Sequence, residues 1–180
     1  MSLLPVFDLD GTLIDSDEAL IAPFVALGIE RDAITFGHLL DDECARLGIS
    51  VEAYLAHYDA AIAQPFAGAA ELLDACGSYA ICSNKRGESG RAELLRLGWQ
   101  PEVALFADAF DGAPKTLPPV LDALGLGAGD VVFVGDTAHD RACAAAVGAR
   151  FVLAGWNPRA TAAPGDLVLA DPRELLDLIR

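Results

Sequence analysis

Two aspartates, Asp8 and Asp10, stand one residue apart in the stretch "VFDLDGTLID", directly after an apolar run. Alternate residues of a strand share a side. Both carboxylates therefore face one way, and they repel each other unless something neutralises them. Polar groups follow an apolar run twice more: Ser83, Asn84 and Lys85 after "YAIC", and Asp136 and Asp140 in "VGDTAHD". Lys115 stands just before a helical pattern. Four carboxylates, a hydroxyl and an ammonium make a hard-oxygen set that suits Mg²⁺, and no His/Cys cluster points to zinc. With a divalent cation, these are the parts of phosphoryl transfer through an aspartyl-phosphate. One carboxylate attacks phosphorus, and a second protonates the leaving oxygen and later activates water. Cations and hydrogen-bond donors hold the charged oxygens.

The elements that must position these groups are legible in the hydrophobic pattern. Short apolar runs at residues 3–7, 79–83, 104–107, 131–135, 151–154 and 167–170 read as strands. Helical patterns at about 68–76, 88–97, 117–125, 139–147 and 172–179 alternate with them. The alternation predicts an α/β fold: a Rossmann-like parallel sheet with helices on both faces. Ligands of such sheets bind beyond the carboxyl ends of the strands, where every polar group named above falls. Residues 15–64 break the alternation. "DEALIAPFVALG", "RDAITFGHLLDDECARLG" and "SVEAYLAHYDAAIA" read as three helices in a row. The expected organisation is an α/β core of residues 1–14 and 65–180, with a small helical cap at 15–64 inserted after the first strand.

Composition narrows the partners. The chain has 180 residues, 53% hydrophobic and 22% charged, with a net charge of −15. That charge argues against nucleic acid, whose phosphates it repels, but a small phosphorylated metabolite can be held by local cations. No apolar run reaches the roughly 18 residues of a membrane span, and the N-terminus lacks a signal-peptide pattern. Cys44, Cys76, Cys82 and Cys143 lack C-x-x-C spacing and read as reduced core residues of a cytoplasmic protein. Oligomeric state is left open, with a monomer compatible. Arginine outnumbers lysine, and Lys85 and Lys115 are the only lysines; lysine offers a compact point charge where arginine offers a wide fork.

The motifs "DLDGT" (8–12), "SNK" (83–85), Lys115 and "GDTAHD" (135–140) occur in an order that resembles the haloacid dehalogenase-like hydrolase superfamily. The resemblance spans essentially the whole chain. It is nearest to the phosphatase branch with a helical cap, in the phosphoglycolate-phosphatase-like and sugar-phosphatase groups. It implies a Mg²⁺-dependent phosphomonoesterase. Asp8 would be the nucleophile and a metal ligand. Asp10 would be the general acid/base, binding metal through its backbone carbonyl. Gly11 and Thr12 would shape the turn, and Ser83 with Asn84 would bind the phosphoryl oxygens. Lys115 would neutralise the phosphate and Asp8, Asp136 would bind metal, and Asp140 would orient a metal-bound water or Lys115. The family often has proline directly after this lysine, where this chain has Thr116; Lys85 belongs to the second motif, and Arg86 is the fallback. A phosphomutase and a non-hydrolytic phospho-acceptor protein use the same parts. Asp10 argues against a dehalogenase, whose branch lacks the second aspartate.

Other polar residues are read more plainly. His139 is expected as an exposed first-turn residue and Asp41–Glu43 as a solvated helix surface. Tyr54 and Tyr58, four apart, share a core-facing or interfacial helix face. Trp99 and Trp156 are read as packing residues, with the Trp156–Asn157 loop as an alternative border of the site.

Overall fold

The computed structural model describes residues 2–180. Its centre is a six-stranded, all-parallel sheet made of β1 (Leu4–Phe7), β4 (Ala80–Cys82), β5 (Val103–Leu105), β6 (Val131–Gly135), β7 (Arg150–Ala154) and β8 (Leu167–Leu169), in the order β5-β4-β1-β6-β7-β8. The central strands are apolar throughout because both faces are covered. Along β1, Val6 and Phe7 point to opposite faces. Phe7 joins a layer with Leu72 of α4 (Ala69–Cys76), Leu94 of α5 (Gly87–Leu97) and Ile179 of α8 (Leu176–Ile179). Val6 joins the other layer, with Val120 of α6 (Pro118–Leu124) and Ala144 of α7 (Ala138–Val147).

Register decides what gathers at the sheet edge. Phe7 pairs with Ile81 on one side and with Val134 on the other. The residues that follow each of these, Asp8, then Cys82 and Ser83, then Gly135 and Asp136, therefore leave the sheet at one level. The chain winds outward from β1 to β4 and β5, then returns to β6 on β1's other side. β1 thus flanks the switch point, where a crevice opens in sheets of this kind.

Residues 14 and 15 form β2 (Ile14–Asp15), which pairs antiparallel with β3 (Gln64–Pro65). Between these two short strands lie α1 (Asp17–Ala26), α2 (Leu40–Leu47) and α3 (Val51–Leu55). The inserted segment has its own apolar centre, in which the Phe24 and Tyr54 rings pack at a tilt with centroids 4.6 Å apart. It differs from the expected three long helices. Residues 31–33 make one 3₁₀ turn, and 34–39 run without helix before α2 begins. Gly37, at φ +84°, breaks the path. The Glu43 carboxylate folds this loop back by accepting from the Thr35 N–H at 2.6 Å and its hydroxyl at 3.0 Å. α3 stops at Leu55, because the chain must turn back to reach β3. The last helix likewise opens as a 3₁₀ turn, Pro172–Leu175. All four cysteines are free. Among the described residues, no helix is long and apolar enough to cross a membrane.

Candidate active site

Asp8 follows β1 directly and is 7% exposed. Its backbone N–H donates to the Val134 carbonyl, and its Oδ1 accepts from the Leu9 N–H at 2.7 Å. The same Oδ1 lies 2.9 Å from Lys115 Nζ, which also lies 2.6 Å from Asp140 Oδ1. Lys115 is thus a buried cation held between two buried carboxylates. Thr116, in place of proline, does not displace it. The Lys115 backbone N–H donates to Asn84 Oδ1 at 2.7 Å, and its carbonyl faces His139 Nε2 at 3.2 Å. Asn84 also donates to the Gly37 carbonyl of the inserted segment at 3.1 Å, so one amide ties the second motif, the lysine loop and the insertion together. Ser83, 1% exposed, lies beside them and accepts from the Lys85 N–H at 3.3 Å.

Asp136 follows β6. Its Oδ1 accepts from the Thr12 hydroxyl at 3.2 Å, and its Oδ2 accepts from Asn157 Nδ2 at 3.1 Å and lies 3.0 Å from Arg159 Nη2. Asp140 accepts the N–H and hydroxyl of Thr137 through Oδ2, and Thr137 Oγ1 accepts the Asp140 N–H in return, closing a capping box on α7. Gly11, at φ +76°, carries the chain away from β1. A Cβ there would meet Asp136 Oδ2 at 2.5 Å, so only glycine fits the turn against this carboxylate.

Asp10 faces elsewhere. Its carboxylate lies 2.8 and 3.1 Å from Lys85 Nζ. Lys85 also reaches Glu93 Oε1 at 3.2 Å and the Tyr58 hydroxyl at 3.1 Å, and Tyr58 donates to Glu93 at 2.9 Å. Glu93 is fully buried, and its Oε2 has no hydrogen-bond partner. One ammonium therefore balances two carboxylates. Removing it in Lys85→Met leaves both without a cation. The expected loss is about 3–5 kcal/mol of stability, read by urea unfolding, and adding Glu93→Gln recovers part of it.

Electrostatics mark the Asp8–Asp136 side as short of positive charge. Burial pushes Asp8 up to about 6, against the pull of Lys115. Burial, together with Asp8 and Asp140, pushes Asp136 up to about 7. Asp140 is buried too, yet Lys115 and Thr137 hold it below the usual carboxylate range. Burial alone would lower Lys115, but Asp140 and Asp8 raise it. Asp8, Asp136 and Asp140 each offer a carboxylate oxygen within 4.8 Å of the others. A buried all-oxygen cluster with two carboxylates titrating above their ordinary range fits a hard divalent cation. A raised folded pKa favours the protonated form, so stability from these two groups is present below about pH 4 and is lost as pH rises through 6–7. Thermal melts in chelator are expected to fall by several degrees between pH 5 and pH 8, and Mg²⁺ at pH 8 to reverse most of the fall.

Several residues differ from their sequence reading. Glu43 is buried, not solvated, and is held by Arg46 and Thr35. His139 is half-buried against the Lys115 carbonyl and lies 3.4 Å from Cys143 Sγ, so it is not a free first-turn residue. Glu93, Arg159 and Thr137 had no role assigned. Glu93 lies on the α5 face shared by buried Gly90 and Leu94, and an acid on an apolar helix face is the signal that could have found it. Trp156 Nε1 donates to the Thr12 carbonyl at 2.8 Å, and Asn157 Nδ2 donates to the Gly11 carbonyl at 2.8 Å.

Comparison with known proteins places this geometry. Residues 6–154 match the family model described as haloacid dehalogenase-like hydrolase. A phosphoglycolate phosphatase of Xanthomonas campestris pv. campestris (strain 8004) is 30% identical over 187 aligned positions, which cover 86% of this chain and 83% of that protein. The crystal structure of a subfamily IA, variant 1 hydrolase of the same superfamily from Geobacter sulfurreducens PCA superposes with a TM-score of 0.79 at 24% identity, over 99% of this chain and 100% of that one. A haloacid dehalogenase-like family hydrolase from Streptococcus pneumoniae gives 0.79 at 20%, over 99% of each chain. The two structures share the fold; the sequence matches carry the kinship, and the chain belongs to the haloacid dehalogenase-like hydrolase family.

Proposed function

We propose that the protein is a Mg²⁺-dependent phosphatase that hydrolyses a small phosphorylated metabolite through a phospho-aspartyl intermediate on Asp8. The observation that carries this reading is the setting of Asp8: a nearly buried carboxylate at the switch point, 2.9 Å from Lys115 Nζ and clustered with Asp136 and Asp140. The phosphatase activity named for the Xanthomonas relative supports it. In this reading residues 1–14 and 65–180 form the core, and residues 15–64 form a cap over the carboxyl edge of the sheet.

The steps follow from the residues. An Asp8 oxygen attacks phosphorus, and the bond from phosphorus to the ester oxygen breaks. Asp10 gives its proton to that oxygen, so the alcohol leaves neutral. Water then attacks the phosphoryl group of Asp8 while Asp10 takes a water proton, which releases phosphate and restores both acids. Ser83 grips the phosphoryl oxygens, with Asn84 alongside holding the Lys115 loop, and Lys115 offsets their charge. Asp8, Asp136 and the Asp10 carbonyl would hold Mg²⁺, with Asp140 keeping Lys115 in place. When bound, the ion supplies Lewis-acid stabilisation of charge on the phosphoryl oxygens. The Asp10 carboxyl stays apart from the three-carboxylate cluster; it enters the first step protonated, with Lys85 then balancing Glu93, and leaves that step as the carboxylate that Lys85 holds.

The test is phosphate release from a panel of phosphorylated metabolites and p-nitrophenyl phosphate, with Mg²⁺ and with chelator. Release only with Mg²⁺ is the expected result. Phosphate moving between positions of a sugar without release would replace hydrolysis with a mutase reaction, and release undiminished in chelator would remove the metal from the account.

A further inference from the structure

The cavity beside Asp8 and Asp10 has a volume of about 110 Å³. Its floor is the polar site, and its remaining wall comes mostly from the inserted segment. That wall includes Phe24, Ile34, Phe36, Leu39, Tyr54 and Tyr58. The Tyr54 hydroxyl is engaged by the Leu20 carbonyl, to which it donates at 3.0 Å, and the Tyr58 hydroxyl by Glu93 and Lys85. The tyrosines therefore present ring rather than hydroxyl, and they stack with centroids 6.1 Å apart.

The lysines and arginines around the cavity are already committed. Lys85 is held by Asp10 and Glu93, and Lys115 by Asp8 and Asp140. Arg159 is held by Asp17 and Asp136 and lies 4.1 Å from the centre of the Phe36 ring. Arg86 pairs with Asp41 at 3.3 Å on the surface. Among the described residues, no lysine or arginine bordering the cavity lacks a carboxylate. Glu43, also on the wall, is neutralised by Arg46. A second anionic group on a substrate would therefore lose its water without gaining a free cation, which is a costly exchange. An apolar group gains by leaving water for this wall.

We infer that the preferred substrate is a phosphomonoester whose leaving alcohol is uncharged and carries an aromatic or bulky apolar group, rather than a phosphorylated carboxylic acid. The inference rests on the phosphatase reading and specifies the substrate class of the same site. It separates this chain from the phosphoglycolate for which the curated relative is named.

The experiment compares kcat/KM for benzyl phosphate, ethyl phosphate and 2-phosphoglycolate, all alkyl esters, on the full chain with Mg²⁺. Benzyl phosphate is expected to exceed ethyl phosphate by about tenfold or more, the range that apolar pocket contacts supply. Phosphoglycolate is expected to fall below ethyl phosphate. In Phe36→Ala the benzyl-to-ethyl ratio of kcat/KM should shrink towards one, and a cooperative thermal melt followed by circular dichroism shows that the variant folds. Phosphoglycolate at or above benzyl phosphate, or equal values for benzyl and ethyl, overturns the inference and leaves the phosphatase standing. No release from any ester, p-nitrophenyl phosphate included, removes the phosphatase reading and this inference with it.

Discussion

Asp8→Asn is expected to lower phosphate release by about four orders of magnitude or more, the scale seen when a catalytic nucleophile is removed. The same substitution should not destabilise the protein. Burial outweighs the attraction of Lys115 enough to push Asp8 up to about 6, so at pH 8 its ionised form is less favourable folded than unfolded. Asparagine keeps the shape and removes the charge. Lys115 keeps its second partner, Asp140, at 2.6 Å. In chelator at pH 8 the variant should therefore melt at or above the temperature of the parent. Loss of activity with unchanged or raised stability is a pairing that a purely structural role for Asp8 does not produce.

Lys115→Met should give the opposite pairing. It removes the ammonium shared by Asp8 and Asp140 and leaves both acids buried without a cation. The expected cost is about 3–5 kcal/mol, together with a fall in kcat of about 10²–10³-fold from lost charge stabilisation. The destabilisation should shrink as pH falls towards 4, because the two acids then take up protons. Lys115→Arg should not restore the parent, since a planar fork does not fit a site that leaves the lysine side chain 2% exposed between two carboxylates. Urea unfolding at pH 4 and pH 8 reads the stability, and single-substrate kinetics read the activity.

Much of this arrangement is legible in the chain because parallel α/β sheets restrict where polar residues can follow apolar runs. Asp8, Ser83 and Asp136 each stand where a buried strand ends, and the register of Phe7 with Ile81 and Val134 brings those ends to one level. The layered fold follows from the same periodicity. Lys115 is different: it lies on a loop, positioned by its backbone bonds to Asn84, His139 and Cys143 and by its place between Asp8 and Asp140. The inserted segment was legible as helical but not in its lengths. The 34–39 stretch contains helix-compatible apolar residues, yet its path is decided by the Thr35 N–H and hydroxyl donating to a buried Glu43, a side-chain bond that helical periodicity does not reveal. Glu93 and Arg159 escaped because their roles depend on tertiary partners. Each acts through a partner distant in sequence: Glu93 accepts from Tyr58 across 35 residues, and Arg159 donates to Asp17 across 142 residues.

The measurement that bears most directly on the central claim is chemical trapping of the intermediate. Borohydride added during steady-state turnover of p-nitrophenyl phosphate with Mg²⁺ reduces an acyl phosphate to an alcohol, and mass spectrometry of the N-terminal peptides then locates it. The account predicts homoserine at position 8, dependent on substrate and absent from Asp8→Asn. Reduction at another carboxylate, or full turnover with no reduction at position 8, would contradict it.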